Sequence, residues 1–289
     1  MNKTVVITGT SSGLGKATVE RFSSEGWNVV ATVRKKEQLG VHAELPQVKT
    51  LLLDVDDETA ATQFAVDAVA AFGQVDVLVN NAGYFQMGPL ESSSMEQIHR
   101  QFQTNVFGLL ALTQAFLPIF REQRSGVVVN IASIGAEGGY PFTSVYSSSK
   151  SAVLTISEAL NIEMLPFNVQ VKAVMPGQHA TRIFSKIDGP EIDVEAYRNQ
   201  ITAFFDHIPE SGSDSSVVGD VVYAAATDGR NNKVHYYAGP DALAIPRMKR
   251  ILGIENYWEE FQQFALGQPS PLWQVLNVPA GDSPLERIL

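Results

Sequence analysis

The sequence places a tyrosine and a lysine four residues apart, Tyr146-Ser-Ser-Ser-Lys150, opening a segment of helical periodicity that runs to about Leu165. Positions i and i+4 share one helix face, so phenol and ammonium can address one bound molecule. A free phenol titrates near pH 10, and using it as an acid–base near neutrality costs about 4 kcal/mol. An ammonium about 4 Å away, at an effective dielectric near 20, returns roughly that amount. Upstream, Ser133 closes the β-branched run VVVNIAS, which would set a hydroxyl at the C-terminal edge of a sheet. Phenol, ammonium and hydroxyl together suit the transfer of a proton to or from an oxygen. The YxxxK spacing alone is common on solvated helices, so its meaning depends on what surrounds it.

A second chemical motif lies between the first strand-like run and the first helix, where Thr8 to Gly15 reads TGTSSGLG. Gly9, Gly13 and Gly15 permit a tight turn, a close backbone approach to a pyrophosphate and close helix packing, and the helix N-terminus faces the negative charge. Two other interpretations fail on particulars. Gly9-Thr10-Ser11-Ser12-Gly13 matches the GxSxG nucleophile elbow of α/β-hydrolases, but only one strand precedes Ser11, so half of an oxyanion hole has no source. Gly15-Lys16 suggests a phosphate-binding P-loop, but Thr10 and Ala17 stand where that pattern needs Gly and Ser or Thr.

The elements that must position these groups alternate along the chain. Strand-like runs are expected at Thr4 to Thr8, Asn28 to Val33, Lys49 to Leu53, Val75 to Asn80, Gly126 to Ile131, Val169 to Val174 and Val234 to Ala238, with helical segments between them, the first over about Leu14 to Glu25. Such alternation predicts a Rossmann-type α/β fold: a doubly wound parallel sheet in three layers with right-handed crossovers. Gly26, Gly73 and Gly126 each precede a strand, where a helix C-cap and turn call for φ above zero. No Pro- or Ser-rich linker interrupts the rhythm, so residues 1–289 are expected to form one domain. Residues 183–216, carrying Ile183, Phe184, Ile187, Phe204 and Phe205 among polar residues, are expected to form a helical flap over a pocket. Residues 240–289 form a C-terminal extension with Trp258, Phe261, Phe264 and Trp273, expected to finish the core as a surface helix pair, with a pocket wall or a subunit contact as the alternatives.

Bulk composition narrows the function classes. Hydrophobic residues make up 45% and charged residues 18% of the 289 positions, as in ordinary globular proteins. A formal charge of −10 disfavours nucleic acid and anionic lipid surfaces, although one helix N-terminus and a few basic side chains can still hold a dinucleotide. The absence of cysteine removes thiolate catalysis and cysteine-ligated metals, and the five histidines show no HExxH or other ligand spacing, so no metal is expected. Nowhere do eighteen apolar residues run together, and the chain is expected to be cytoplasmic and untethered.

Taken in order, TGTSSGLG, Asn80-Asn81-Ala82-Gly83, Asn105, Ser133, Tyr146, Lys150 and Pro176-Gly177 resemble the short-chain dehydrogenase/reductase family, closely over residues 1–181 and loosely over about 214–240, and in particular its carbonyl reductase and hydroxysteroid-dehydrogenase-like members. The resemblance implies that Tyr146 transfers the proton, Ser133 orients the carbonyl, Lys150 lowers the phenol pKa and binds the nicotinamide ribose, and Asn105 supports a proton-relay water. It further implies that Gly9, Thr10, Ser11, Ser12, Gly13, Leu14 and Gly15 hold the pyrophosphate, Asp54 and Val55 the adenine, and Asn81, Ala82 and Gly83 the adenosine-side ribose. Pro176, Gly177, His179 and Thr181 would take the nicotinamide carboxamide. The second strand ends in ATVRKK with no acid for a ribose 2′-hydroxyl; Val33 removes carboxylate repulsion and Arg34 offers a fork suited to a 2′-phosphate, so NADP(H) is expected. Against that, Ser12 stands where many NADP-dependent relatives carry a basic residue. A pocket lined by Phe85, Tyr140, Phe142, His179 and Phe184 suits ketones or alcohols with an apolar body. The activity so implied is NADPH-dependent reduction of a ketone or carbonyl, with an NAD-linked alcohol or hydroxysteroid-type dehydrogenase and a non-catalytic dinucleotide sensor as rivals. A homodimer or homotetramer is expected from the same resemblance.

Overall fold

The computed structural model describes residues 2–179, 195–205, 212–266 and 268. Seven strands, β1 (Thr4–Ile7), β2 (Asn28–Val33), β3 (Val48–Leu52), β4 (Val77–Asn80), β5 (Gly126–Ile131), β6 (Val169–Pro176) and β7 (His235–Ala238), form one sheet in the order β3-β2-β1-β4-β5-β6-β7. Every pairing is parallel. The winding direction reverses between β1 and β4, and a doubly wound sheet opens its ligand crevice at that switch point, beyond the carboxyl ends of the strands. All seven predicted strands are present, with ends displaced by two residues at most.

Alternation along each strand sends side chains to opposite faces, and both faces are covered. Val5, Ile7, Val29, Ala31, Val77 and Val79 pack with Val19 and Phe22 of α1 (Gly13–Ser24) and with Val218 and Val222 of α7 (Ser215–Thr227). Val6, Val30, Leu78 and Val128 pack against Phe64 of α2 (Ala61–Phe72) and against Phe116 and Phe120 of α4 (Gly108–Gln123). A third cluster joins Val153 of α5 (Ser144–Met164) to Ala173 and Met175. The result is the three-layered Rossmann-type arrangement anticipated from the sequence.

Gly26 and Gly73 adopt the expected positive φ, 76° and 88°. Gly126 does not. Arg124 takes the left-handed C-cap of α4 instead, with φ 50°, and Gly126 is needed for space, because a Cβ there would collide with the Phe120 ring. Helix α3 (Met95–Phe102) runs through a π-turn (Gln103–Phe107) into α4. This continuous run, Met95–Gln123, is long and apolar enough to span a membrane by length and composition alone. Its Leu112, Phe116 and Phe120 are nevertheless committed to the core against the sheet.

Of the expected flap, helix α6 (Glu195–Phe205) is described; Thr181, Ile183, Phe184 and Ile187 fall outside the described residues, as do the side chains of Phe204 and Phe205. The C-terminal extension contributes α8 (Pro240–Leu252) and α9 (Ile254–Ala265), while Trp273 falls outside the described residues.

Candidate active site

Beyond the carboxyl ends of the strands lies a cavity of about 810 Å³, lined by the glycine loop, the ends of β2, β4, β5 and β6, and the start of α5. Its floor is set by backbone conformation. Gly9 turns with φ 69°, and a Cβ there would lie 2.9 Å from the Ala82 Cα. Gly15 packs directly on the Gly9 carbonyl and the Asn81 amide, which leaves no room for a side chain. Ser12, the N-cap of α1, makes no side-chain bond to the first-turn N–H groups, and Ser12, Gly13, Leu14 and Gly15 all line the cavity. Helix N–H groups without a side-chain cap, on a loop that glycine keeps open at positions 9 and 15, are a fitting receptor for a dinucleotide pyrophosphate.

A network of long-range hydrogen bonds holds this loop in place. The Thr8 hydroxyl accepts from the backbone N–H groups of Asn81 and Ala82, both at 2.9 Å, and the Asn81 amide donates back to the carbonyls of Thr8 at 2.8 Å and Gly9 at 3.1 Å. The Thr32 hydroxyl accepts from Gly9 N–H at 3.2 Å. Buried His42, kept neutral by its burial, donates from Nε2 to the Thr10 carbonyl at 3.2 Å. Nothing in the local pattern around His42 marks it, because its partner lies 32 positions away in the sequence. One expectation needs correcting here: Thr10 is fully buried, its hydroxyl donating to the Thr32 carbonyl at 3.0 Å, and it does not line the cavity. The tight turn at Gly9 carries that side chain inward.

The cavity lining also includes Val33, Arg34, Lys35, Asp54 and Val55, the residues expected at an adenosine, together with Asn81, Ala82 and Gly83. Val33 is buried, whereas Arg34 and Lys35 are exposed at the rim. Lys35 is a second cation at the place where a single one was anticipated.

At the centre, Ser133, Tyr146 and Lys150 all line the cavity and are nearly buried. Ser133 sits immediately beyond β5, its extended backbone presenting a hydroxyl that accepts from Gly135 N–H at 3.1 Å. The Tyr146 ring stands edge-on to Phe85, with centroids 4.5 Å apart. Burial pushes its phenol above the usual value and a hydrogen bond with Ser133 pulls the other way. Acidification by Lys150 is not part of that balance. The ammonium is 5.9 Å from the Tyr146 ring centroid, donates to the Ile131 carbonyl at 2.8 Å, and is itself lowered to about 8 by burial. The helical spacing does bring the two groups to one place, as predicted, but burial is the leading cause of the shift of each.

Asn105 does not reach the cavity wall. Its amide donates to the Tyr84 carbonyl and the Ser149 hydroxyl, each at 3.1 Å, and its Oδ1 accepts from Tyr84 N–H at 3.1 Å. Seated in the π-turn, it clamps the strand-end loop to the helix bearing Tyr146 and Lys150. Both amide hydrogens are thereby committed.

Pro176 at the end of β6, and Gly177 and His179 beyond it, line the cavity, as does the intervening Gln178. The wall facing Tyr146 is made of Phe85, Met87, Tyr140 and Phe264. Tyr140 is a second phenol, pushed well above its ordinary value by burial, so it stays protonated. Behind these residues Tyr257 and Phe261 stack with centroids 5.8 Å apart, and Phe261 meets Tyr140 edge-on at 5.3 Å. The C-terminal extension is therefore a pocket wall as well as a core-finishing helix pair. Phe142, expected in the lining, sits behind it with φ 63°, its carbonyl accepting from Gly88 N–H at 2.8 Å. A bulky residue in the left-handed region is strained, and such strain is characteristic of functional rims.

Comparison with known proteins agrees with this geometry. The family model for short chain dehydrogenases matches residues 3–191. An uncharacterized oxidoreductase of Bacillus subtilis, YusZ, is 33% identical over 274 residues, covering 90% of this chain and 97% of the relative. Among solved structures, a short-chain dehydrogenase from Streptomyces avermitilis superposes with a TM-score of 0.79 at 31% identity, over 91% of this chain and 98% of that one. ElxO with NADP bound gives 0.73 at 26% identity, over 84% and 100% of the two chains. A 3-ketoacyl-(acyl-carrier-protein) reductase from Brucella melitensis complexed with NADH gives 0.71 at 26%, over 81% and 96%. The chain belongs to the short-chain dehydrogenase/reductase family and is an oxidoreductase of that family.

Proposed function

We propose that the protein reduces a ketone or related carbonyl with an apolar body to the alcohol, reversibly, using NADPH. The observation that carries this reading is the gathering of Ser133, Tyr146 and Lys150 into the same cavity as the glycine loop. The reduced dinucleotide, when bound, supplies the hydride. The Ser133 hydroxyl then orients the carbonyl oxygen, and the Tyr146 phenol gives its proton to that oxygen as the carbon becomes tetrahedral. Because burial holds this phenol protonated, the reductive direction starts with the proton already in place. Lys150 fixes the cofactor ribose beside the phenol and helps return the proton. The aromatic wall accepts the apolar body of the substrate and excludes water from the reaction.

For the phosphorylated cofactor, the supporting features are the uncharged Val33 and the cations Arg34 and Lys35 at the rim. The NADH complex of a protein with the same fold keeps an NAD-linked dehydrogenase as the second reading. Measuring kcat/KM with NADPH and with NADH across a panel of ketones and aldehydes separates them. A ratio above one supports the assignment, and a ratio below one overturns it. Failure of every carbonyl in the presence of tight NADPH binding would leave a dinucleotide sensor. A homodimer or homotetramer in the cytoplasm, with residues 1–289 as one domain, completes the reading, and light scattering tests the assembly.

A further inference from the structure

The turn after β6 is tied down at each of its three residues. Gly177 N–H donates to the Ala238 carbonyl at 2.9 Å, Ser213 N–H donates to the Gln178 carbonyl at 3.0 Å, and the His179 ring donates from Nδ1 to the Gly177 carbonyl at 3.0 Å. The Gln178 N–H goes to a side chain: it meets Asp241 Oδ2 at 2.7 Å. Asp241 opens α8 and packs so closely on Gly177 that a Cβ there would overlap its carboxylate. It also lines the cavity, as do Tyr140 and Phe264. From Asp241 the helix continues into Ala244, Ile245 and Met248, which pack with Tyr257, Phe261 and Phe264 to form the aromatic wall.

One carboxylate thus joins the C-terminal hairpin to the turn at the nicotinamide end of the cavity. Its position carries a cost, since burial pushes the carboxyl above the usual range while the N–H groups of Gln178 and Ala242 oppose that push. A buried acid that only capped α8 would have no need to reach across to another loop.

We propose that Asp241 is a positioning residue that fixes the Gly177–His179 turn, and through it the seat of the nicotinamide, from the C-terminal helices. The inference rests on the dinucleotide reading above, and two probes separate its failure from the failure of that reading. NADPH spans the whole site, whereas adenosine 2′,5′-bisphosphate occupies only the adenosine end. In Asp241→Ala, the Gln178 N–H loses its acceptor inside the protein, and NADPH should bind about tenfold more weakly while adenosine 2′,5′-bisphosphate binds as to wild type. Asp241→Asn keeps an acceptor oxygen at similar volume and should return NADPH affinity to within about threefold of wild type. Equal weakening of both probes in Asp241→Ala, unchanged NADPH affinity, or an Asn variant no better than Ala would each overturn the proposal. Failure of the wild-type protein to bind either probe would instead remove the dinucleotide reading.

Discussion

The two ends of the cavity are built by opposite means. At the glycine-loop end the floor is backbone, held by hydrogen bonds from Thr8, Thr32, Asn81 and His42, and Gly9 and Gly15 leave no room for a side chain at the turn itself. At the aromatic end the walls are rings: Phe85, Tyr140 and Phe264 line the space, and Tyr257 and Phe261 back them. The first construction gives a fixed shape suited to one ligand class. The second gives a surface defined by apolar packing, which can change with the identity of a few rings and so carries selectivity.

If that division is right, damage at the junction of the two ends should stop chemistry without loosening binding. Tyr146→Phe is expected to lower kcat at least a hundredfold while NADPH affinity, followed by fluorescence titration, stays within twofold. Undiminished turnover would mean that the proton comes from elsewhere. Damage confined to the glycine-loop end should be selective for the cofactor: Arg34→Ala should reduce kcat/KM for NADPH about thirtyfold, the loss of a charge-assisted contact of about 2 kcal/mol, and leave the NADH value unchanged. Parallel losses for both dinucleotides would place Arg34 outside 2′-phosphate recognition. At the other end, Phe264→Ala should raise ketone KM about tenfold with NADPH KM unaltered, and a rise in both would show that the ends are not separable.

The smallest expected effect concerns stability. Lys150 titrates near 8 in the folded chain against an ordinary 10.5, so between those pH values the unfolded chain holds more protons and stability rises with pH. Relative to Lys150→Met, which lacks this titration, the wild type should gain about 1 kcal/mol between pH 8 and 9 in urea unfolding. A flat difference would mean that the ammonium is solvated more than its burial implies. The same titration implies that any step needing the Lys150 charge weakens as pH rises through 8.

The sequence by itself determined the sheet and the chemical centre. Short continuous runs of β-branched residues specify buried parallel strands, and β2 and β5 have the expected bounds, Asn28–Val33 and Gly126–Ile131. Tyr146 and Lys150 are legible because helix geometry ties residues four apart, and the glycine loop because glycine marks backbone that must bend or approach closely. What only the tertiary structure decided involves partners distant in sequence. His42 meets Thr10, Asp241 meets Gln178 across 63 positions, and Phe264 lines the same cavity as Phe85. It also decided burial, which reverses the expected acidity of Tyr146, turns Thr10 away from the cavity and holds Asn105 behind its wall. Local spacing fixes which groups share a helix face or a turn. How far each group is removed from water, and what it meets there, depends on the packing of segments that no short-range pattern connects.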